Sequence, residues 1–437
     1  MPTDASVESR LILSDELARS LVKGYGTPLY VLDEAHLRGR VKRYLSAFAA
    51  ACDRSELTYA SKANSTFAVL AIVASEGCMI DVASEGELRA AIAAGVPASK
   101  CHFHGNAKTA DEIAFAIGAG INQIVMDNFD EIRTIAAAGN SSPDLVLRLA
   151  PGVDPKTHEK IATGQADTKF GFNVADGSAE SALLLCLKLR LPVIGFHCHV
   201  GSQLLDPTAQ INGGQIVAEF ASQMRSVHGF ETTVLNVGGG IGIRYCEEDE
   251  PEEVERYCAD LVNGVRSGLA DSGLDPVLVQ EPGRWLVGES GVTLYRVMNV
   301  KTVPIEGGSR IYVSVDGGLS DNPRPAMYGS SYPVRLIAAD GRKGADPIKV
   351  RVSGKHCETD TLFDNVSLPG DTLCGDILQV LCTGAYNSSM ASNYNRYPRP
   401  ATALVRTDGS HCLVQERESW DGMFAREIVP EGLGNGR

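Results

Sequence analysis

The chain lacks the features that would send it to a membrane, a nucleic acid or an oxidising compartment. No apolar run approaches the ~20 residues that a membrane-crossing helix requires, and the opening MPTDASVESR has no signal-peptide-like apolar core. Positive charge is scarce: 40 Lys and Arg stand against 54 Asp and Glu, for a net charge of −14. That balance argues against a nucleic-acid or anionic-membrane partner, while leaving room for a local basic pocket. The eleven cysteines are odd in number and scattered, and no two are spaced as CxxC. In a chain this long they are expected to be reduced thiols in a cytoplasmic protein.

What is present fits a globular enzyme. The 437 residues, 44% of them hydrophobic, suffice for two or three domains with buried cores. From about residue 56 to 285, short apolar runs alternate with amphipathic stretches. Eight runs stand out: LTYA (57–60), MIDV (79–82), CHFHG (101–105), QIVMD (123–127), LVLRLA (145–150), VIGFHCHV (193–200), TVLNVG (233–238) and PVLVQE (276–281). Ser84 with Glu87, Thr109 with Glu112, and Asn128 with Glu131 have capping-box spacing, and Gly77 and Gly95 sit where helices end. Eight strand–helix units predict an α/β fold, a (β/α)8 TIM barrel.

After residue 290 the texture changes to alternating strands and turns, as in RIYVSVDGG, KVRVSG and ATALVRTDG. The expected organisation is an N-terminal segment (1–40) joining a β domain, a barrel over 41–290, and a C-terminal all-β domain over 291–437. The β domain is expected to be Greek-key, barrel- or sandwich-like.

In a barrel the loops after the strands carry the site, and polar residues gather there. Lys62 follows the first run, Asp81 ends the second, and His102 and His104 lie on the third. Arg148 is near the end of the fifth, His197 and His199 close the sixth, and Glu281 ends the eighth. GGGIG (238–242) follows the seventh, where barrels hold phosphate, although a tight turn alone explains glycines equally well. Ser202 is a further anion donor. Glu281 ends an apolar strand and needs a partner, either the neighbouring Arg284 or a protonated ring nitrogen. A lysine, a phosphate cup and an acid together suggest pyridoxal 5′-phosphate (PLP), with the lysine carrying the cofactor and the acid keeping its ring protonated. Burial or nearby positive charge is expected to lower the pKa of Lys62. The paired His-x-His motifs support a rival reading, a metal-dependent barrel hydrolase, although no acidic cluster plainly completes a metal shell. Core histidines are the plainer alternative for His102 and His104, whereas His199 suits a face-on contact with a cofactor ring.

The motifs YASKAN, HEKIATGQADTKFGF, GFHCHVGSQ, NVGGGIG, EPGRW, VDGGLSDNPRPAMYG, CETD and GAYNSSMASNYNRYPRP occur in an order that resembles the fold-type III PLP-dependent decarboxylases, the alanine racemase-like barrels. Their diaminopimelate branch is the most similar. The resemblance covers nearly the whole chain and carries its own implications. Lys62 would hold PLP, and Gly238, Gly239, Gly240, Ser202 and Tyr386 would hold its phosphate. His199 would stack on the ring, Glu281 would meet the ring nitrogen, and Asp81 would position the lysine. The family works as a homodimer with active sites at the subunit interface, so Cys357, a proton donor, and Glu358, a substrate contact, would enter from the other subunit. Arg284, Arg324 and Tyr328 occupy the positions that hold a distal carboxylate, with Tyr386 near the substrate. The implied activity is decarboxylation of meso-diaminopimelate to L-lysine in lysine biosynthesis. The alternative is a paralogue acting on another carboxylated or basic amino acid, because HCETD and WLVGES depart from the common pattern. Barrel relatives that bind PLP without catalysis lack a C-terminal β domain.

Overall fold

The computed structural model describes residues 10–139, 143–153, 167–358 and 361–433. Most of HEKIATGQADTKFGF, and Thr359 and Asp360 of CETD, lie outside these residues. The chain divides into two compact units. One comprises Met1–Leu11, Asp33–Gly291 and Cys382–Ser389; the other comprises Ile12–Leu32, Val292–Leu381 and Met390–Arg437.

Strand β1 (Leu29–Asp33) belongs to the second unit. The barrel is built from β2 (Ser55–Ala60), β3 (Met79–Val82), β4 (Cys101–Phe103), β5 (Gln123–Met126), β6 (Asp144–Ala150), β8 (Val193–His197), β9 (Val234–Asn236) and β10 (Val277–Gln280), while the two-residue β7 (Phe172–Asn173) adds to β6. The order β5-β4-β3-β2-β10-β9-β8-β6 closes through β5–β6 pairing, and every pair is parallel. This is the (β/α)8 barrel expected from the eight runs. The strands are nearly all apolar because a parallel barrel buries both faces; β3 and β5, for instance, are buried at every residue.

β4 and β8 end earlier than the alternation suggests, at Phe103 and His197. His104 and His199 therefore lie beyond the strands, where the backbone leaves the ladder for the loops of the functional face. His104 N–H still donates to Val82 O at 2.8 Å, and Cys198 N–H to Asn236 O at 2.9 Å.

The caps hold the helices at the spacing the sequence suggests, with two changes of partner. Thr109 and Glu112 form a reciprocal capping box. Ser84 accepts the Glu87 N–H, but the Glu87 carboxylate reaches Ala83 N–H at 2.7 Å. Asn128 caps Asp130 and Glu131, while Glu131 accepts the Asp127 N–H and pairs with the buried Lys108 ammonium at 2.9 Å.

Two segments join the barrel unit for local reasons. Asp33 N-caps the helix Glu34–Ala51 through the His36 N–H at 2.7 Å, so the unit begins there. Residues 382–389 are stitched in by Thr383 N–H to Gly291 O (2.9 Å), Gly384 N–H to Gly288 O (3.0 Å) and Asn64 Nδ2 to Gly384 O (2.9 Å).

The second unit is a nine-stranded sheet. Its other strands are β11 (Gly291–Ile305), β12 (Gly308–Val315), β13 (Val334–Ile337), β14 (Pro347–Ser353), β15 (Phe363–Pro369), β16 (Ile377–Val380), β17 (Ala401–Val405) and β18 (His411–Gln415). The main path runs β15-β14-β12-β11-β1-β17-β18, with β16 joined to β11 and β13. β1, from the N-terminal PLYVLD, thus lies inside this sheet. All eleven cysteines are free. Among the described residues, no helix is long and apolar enough to cross a membrane.

Candidate active site

Barrel register sets the polar row at the strand ends. Arg148 is opposite His197, and His197 opposite Asn236, across β6, β8 and β9. On the other side Ala60, Asp81 and His102 form a row across β2, β3 and β4. Residues far apart in sequence thereby share one end of the barrel.

Glu281, just past β10, is the hub of these groups. Its Oε1 lies 2.9 Å from His104 Nε2 and accepts from Asn236 Nδ2 at 2.6 Å, while its Oε2 is 3.1 Å from His197 Nε2. The Asn236 side chain also accepts the Gly238 N–H at 2.9 Å, and Glu281 N–H donates to Gly238 O at 2.8 Å. One asparagine thus ties the carboxylate to the glycine turn. Burial alone would raise the pKa of Glu281, but the adjacent His104 and His197 imidazoles hold it well below the usual range. Desolvation works against a charged His104, yet the Asp81 and Glu281 charges outweigh it and raise its pKa. His197 is pushed down to about 4, chiefly by burial, despite Glu281. Burial lifts Asp81 to about 6 against the opposing pull of His104.

Lys62 occupies the one-turn 3₁₀ helix Ser61–Ala63 directly after β2. The residue is accessible to solvent at the end of β2, while its amine lies close enough to the strand-end groups to feel their charges. Desolvation lowers its pKa, but the charges of Tyr386, Asp81 and Glu281 prevail over burial and Arg148, and the net shift is upward. This reverses the expectation from sequence, because the acids at neighbouring strand ends outnumber the bases. Tyr386 reaches this place because its N–H donates to Ala63 O at 2.7 Å, with its own backbone in the left-handed region at φ 60°.

The glycine turn after β9 could not be built from other residues. A Cβ on Gly239 would lie 2.1 Å from Glu281 O, and one on Gly238, at φ +69°, 2.4 Å from Cys198 O. His199 accepts the Gly239 N–H at Nδ1 (3.4 Å), and burial, Lys62 and Arg148 hold its imidazole neutral. Arg284 donates to Tyr245 Oη at 2.8 Å and Ser202 Oγ at 3.1 Å, and its guanidinium stacks 4.7 Å from the Tyr386 ring. Arg284 therefore stands among the residues expected to hold phosphate.

A PLP group fits what is left over. A carboxylate offers about four lone-pair positions; Glu281 Oε1 accepts from Asn236 and lies near His104, and Oε2 faces His197, which leaves a position on Oε2 for a protonated nitrogen. Asp81 Oδ1 is buried with no hydrogen-bond partner, at 3.8 Å from His104 Nε2. His104, His197 and Glu281 also bring three metal-capable atoms within 4.8 Å, so an acid does complete one histidine from each pair. Sequence reasoning missed Asn236 and Tyr245. The signal for Asn236 was its place two residues before the first glycine of NVGGG, a spacing that favours a side-chain-capped turn.

The remaining predicted residues lie in the second unit. Arg324 and Tyr328 bracket the short helix Arg324–Tyr328; Arg324 is buried, with its guanidinium 5.1 Å from the Tyr328 ring. Cys357 and Glu358 are exposed neighbours on one loop.

A lysine, a glycine turn and a histidine-held carboxylate at the strand ends of a barrel define the barrel class of PLP enzymes. The chain belongs to the pyridoxal-dependent decarboxylases: the family model "Pyridoxal-dependent decarboxylase, pyridoxal binding domain" matches residues 35–288. Within that family it is similar to diaminopimelate decarboxylases. It is 43% identical to the Bacillus subtilis (strain 168) enzyme, over 93% of each chain. It is 37% identical to that of Mycobacterium bovis, over 93% of this chain and 92% of the relative. The structure of diaminopimelate decarboxylase from M. jannaschii in complex with L-lysine superposes with a TM-score of 0.89 at 33% identity, over 98% of each chain. The protein is therefore a PLP-dependent carboxy-lyase acting on an amino acid.

Proposed function

We propose that the chain decarboxylates meso-diaminopimelate to L-lysine and CO2, as a cytoplasmic homodimer of lysine biosynthesis. The observation that carries the substrate choice is Arg324, a buried guanidinium backed by Tyr328, in a relative of diaminopimelate decarboxylases. An arginine fork recognises a planar carboxylate in a geometry that a substrate lacking the distal carboxylate does not offer.

PLP, when bound, supplies the electron sink for the pair left behind as CO2 departs. The chain's residues do the rest. Lys62 would hold the cofactor through its amine, whose pKa the charges of Tyr386, Asp81 and Glu281 raise against burial. Glu281, whose pKa is held low, would meet the ring nitrogen and favour its protonated form. His199, oriented by the Gly239 N–H, would stack on the ring. Gly238, Gly239, Gly240, Ser202 and Tyr386 would hold the phosphate, with Arg284 beside Ser202 and Tyr386. Asp81 orients Lys62. Cys357 of the opposite subunit delivers its thiol proton to the α-carbon and is reprotonated by solvent, while Glu358 holds the distal ammonium. One α-carbon–carboxylate bond breaks, one C–H bond forms, and one proton is consumed.

The test is CO2 release from meso-diaminopimelate, lysine and ornithine by wild type and Arg324→Ala. Diaminopimelate should be the preferred substrate, and the variant should lose ~10²-fold or more in kcat/KM for it, from a charge-assisted pair worth roughly 3 kcal/mol. Equal losses on all three substrates would remove Arg324 from carboxylate recognition.

A further inference from the structure

Cys357 and Glu358 sit on a loop that a second loop, Asn393–Tyr397, holds residue by residue. The backbone of that second loop is strained. Asn395 (φ 52°, ψ 22°) and Arg396 (φ 60°) are consecutive non-glycine residues in the left-handed region. Such residues are disfavoured and persist only where surrounding contacts fix them. Those contacts are present. Ser392 N–H donates to Ser320 O at 2.8 Å, and Asn393 Nδ2 donates to Tyr397 O at 3.1 Å and to the Glu418 carboxylate.

The strained turn aims two side chains at the neighbouring loop. Asn395 Oδ1 accepts the backbone N–H of Cys357 at 3.1 Å. The Tyr394 hydroxyl donates to the Glu358 carboxylate. The Tyr394 ring also lies nearly parallel to His356, with centroids 5.8 Å and planes 11° apart. His356 is fixed in turn by the Ser320 N–H, which donates to its Nε2 at 3.2 Å, and by the Tyr397 ring, which meets it edge-on at 5.1 Å. Three consecutive residues, His356, Cys357 and Glu358, are thus each gripped from the 394–397 turn.

We propose that Tyr394 and Asn395 are positioning residues for the Cys357–Glu358 pair. Asn395 fixes the backbone that presents the thiol, and Tyr394 fixes the carboxylate while leaving its other lone pairs for a substrate ammonium. The proposal rests on the roles given above to Cys357 and Glu358. A thiol has a single rotor between backbone and sulfur, so its aim is set by where the Cys357 backbone is held. An error of about 1 Å at such a group can cost ~10²-fold in rate.

Three holoenzyme variants test it. Asn395→Gly keeps the left-handed backbone and removes the acceptor, Asn395→Asp keeps both, and Tyr394→Phe keeps the ring and removes the hydroxyl. Two readouts are compared: the kcat–KM split, and the rate of Cys357 alkylation by iodoacetamide, followed by peptide mass mapping. Asn395→Gly should lower kcat by roughly 10-fold and change the alkylation rate by about 3-fold or more, the range of one lost hydrogen bond. Asn395→Asp should restore both to within about 2-fold, and Tyr394→Phe should raise KM by roughly 10-fold with a smaller change in kcat. Asn395→Gly with both readouts near wild type, or Asn395→Asp no better than Asn395→Gly, would overturn the proposal. Should Asn395→Gly fail to fold, Tyr394→Phe decides through KM. Near-normal kcat in Cys357→Ser would sink the proton-donor reading instead, and the alkylation rates would still decide the positioning roles.

Discussion

The histidines at the barrel's functional end show how position overrides residue type. His102, His104 and His197 have the same side chain, yet the first and last are driven neutral, to pKa values of about 4, while the two carboxylates beside the second raise its pKa. The neutral pair carries a pH consequence. His102, with a folded pKa of about 4 against an ordinary 6.5, is uncharged in both folded and unfolded states above pH 7. Between about 6.5 and 4 only the unfolded chain takes up the proton, so stability falls as pH falls through that window. At pH 5 the cost from His102 is about 2 kcal/mol relative to pH 7. His102→Gln should remove that share, so the loss of unfolding free energy between pH 7 and 5, read from urea midpoints, should shrink by about 2 kcal/mol. An undiminished loss would place the acid sensitivity elsewhere. Asn236 carries a different consequence. Its amide bonds both Glu281 and Gly238, so Asn236→Ala should weaken PLP binding by roughly 10- to 100-fold, from the loss of a charge-assisted hydrogen bond of ~1.5–3 kcal/mol. Titration of the apoprotein with PLP, followed by cofactor absorbance, reads this directly.

At the scale of elements, the loops after the strands are held as firmly as the strands. Lys108, on the loop after β4, pairs with Glu131 at 2.9 Å and also donates to Gly105 O (2.6 Å) and Val125 O (2.9 Å), with both charged side chains almost wholly buried. Burial lowers the pKa of Lys108, and Glu131 opposes that loss. Removing one partner leaves a buried charge alone, so Lys108→Met should destabilise the fold by about 3–5 kcal/mol. The double variant Lys108→Met/Glu131→Gln should recover part of this, because no charge is then stranded. Thermal unfolding of the two variants distinguishes a clamp from an ordinary surface pair, for which the loss would stay under ~1 kcal/mol.

At the scale of the molecule, the proposed activity needs groups from two chains. Lys62 belongs to the barrel unit and Cys357 to the β unit, and in the proposed homodimer each site takes one from each subunit. Mixing Lys62→Ala with Cys357→Ala under conditions that exchange subunits should therefore restore activity. With random pairing, half the dimers are mixed and each has one intact site, so about a quarter of wild-type activity should return. No recovery, with exchange verified by mass, would mean that each chain uses its own cysteine.

Much of this was written in the sequence because parallel barrels have a strong local code. Doubly buried strands leave unbroken apolar runs, and capped helices between them leave their own spacing. The eight runs therefore became eight strands, and Lys62, Asp81 and Glu281 fell at strand ends. The β unit was less legible. Val334–Ile337, Phe363–Pro369 and His411–Gln415 are short, half-exposed strands whose pairing depends on distant partners. Only the tertiary structure showed that residues 382–389 return to the barrel and bring Tyr386 to Ala63. It alone showed that His104 and His197 converge on Glu281, and that Lys62 meets more acid than base. A sequence specifies which groups stand at strand ends through local hydrophobic pattern. Their partners and charge states depend on barrel closure, which sets side by side residues that pattern alone cannot relate.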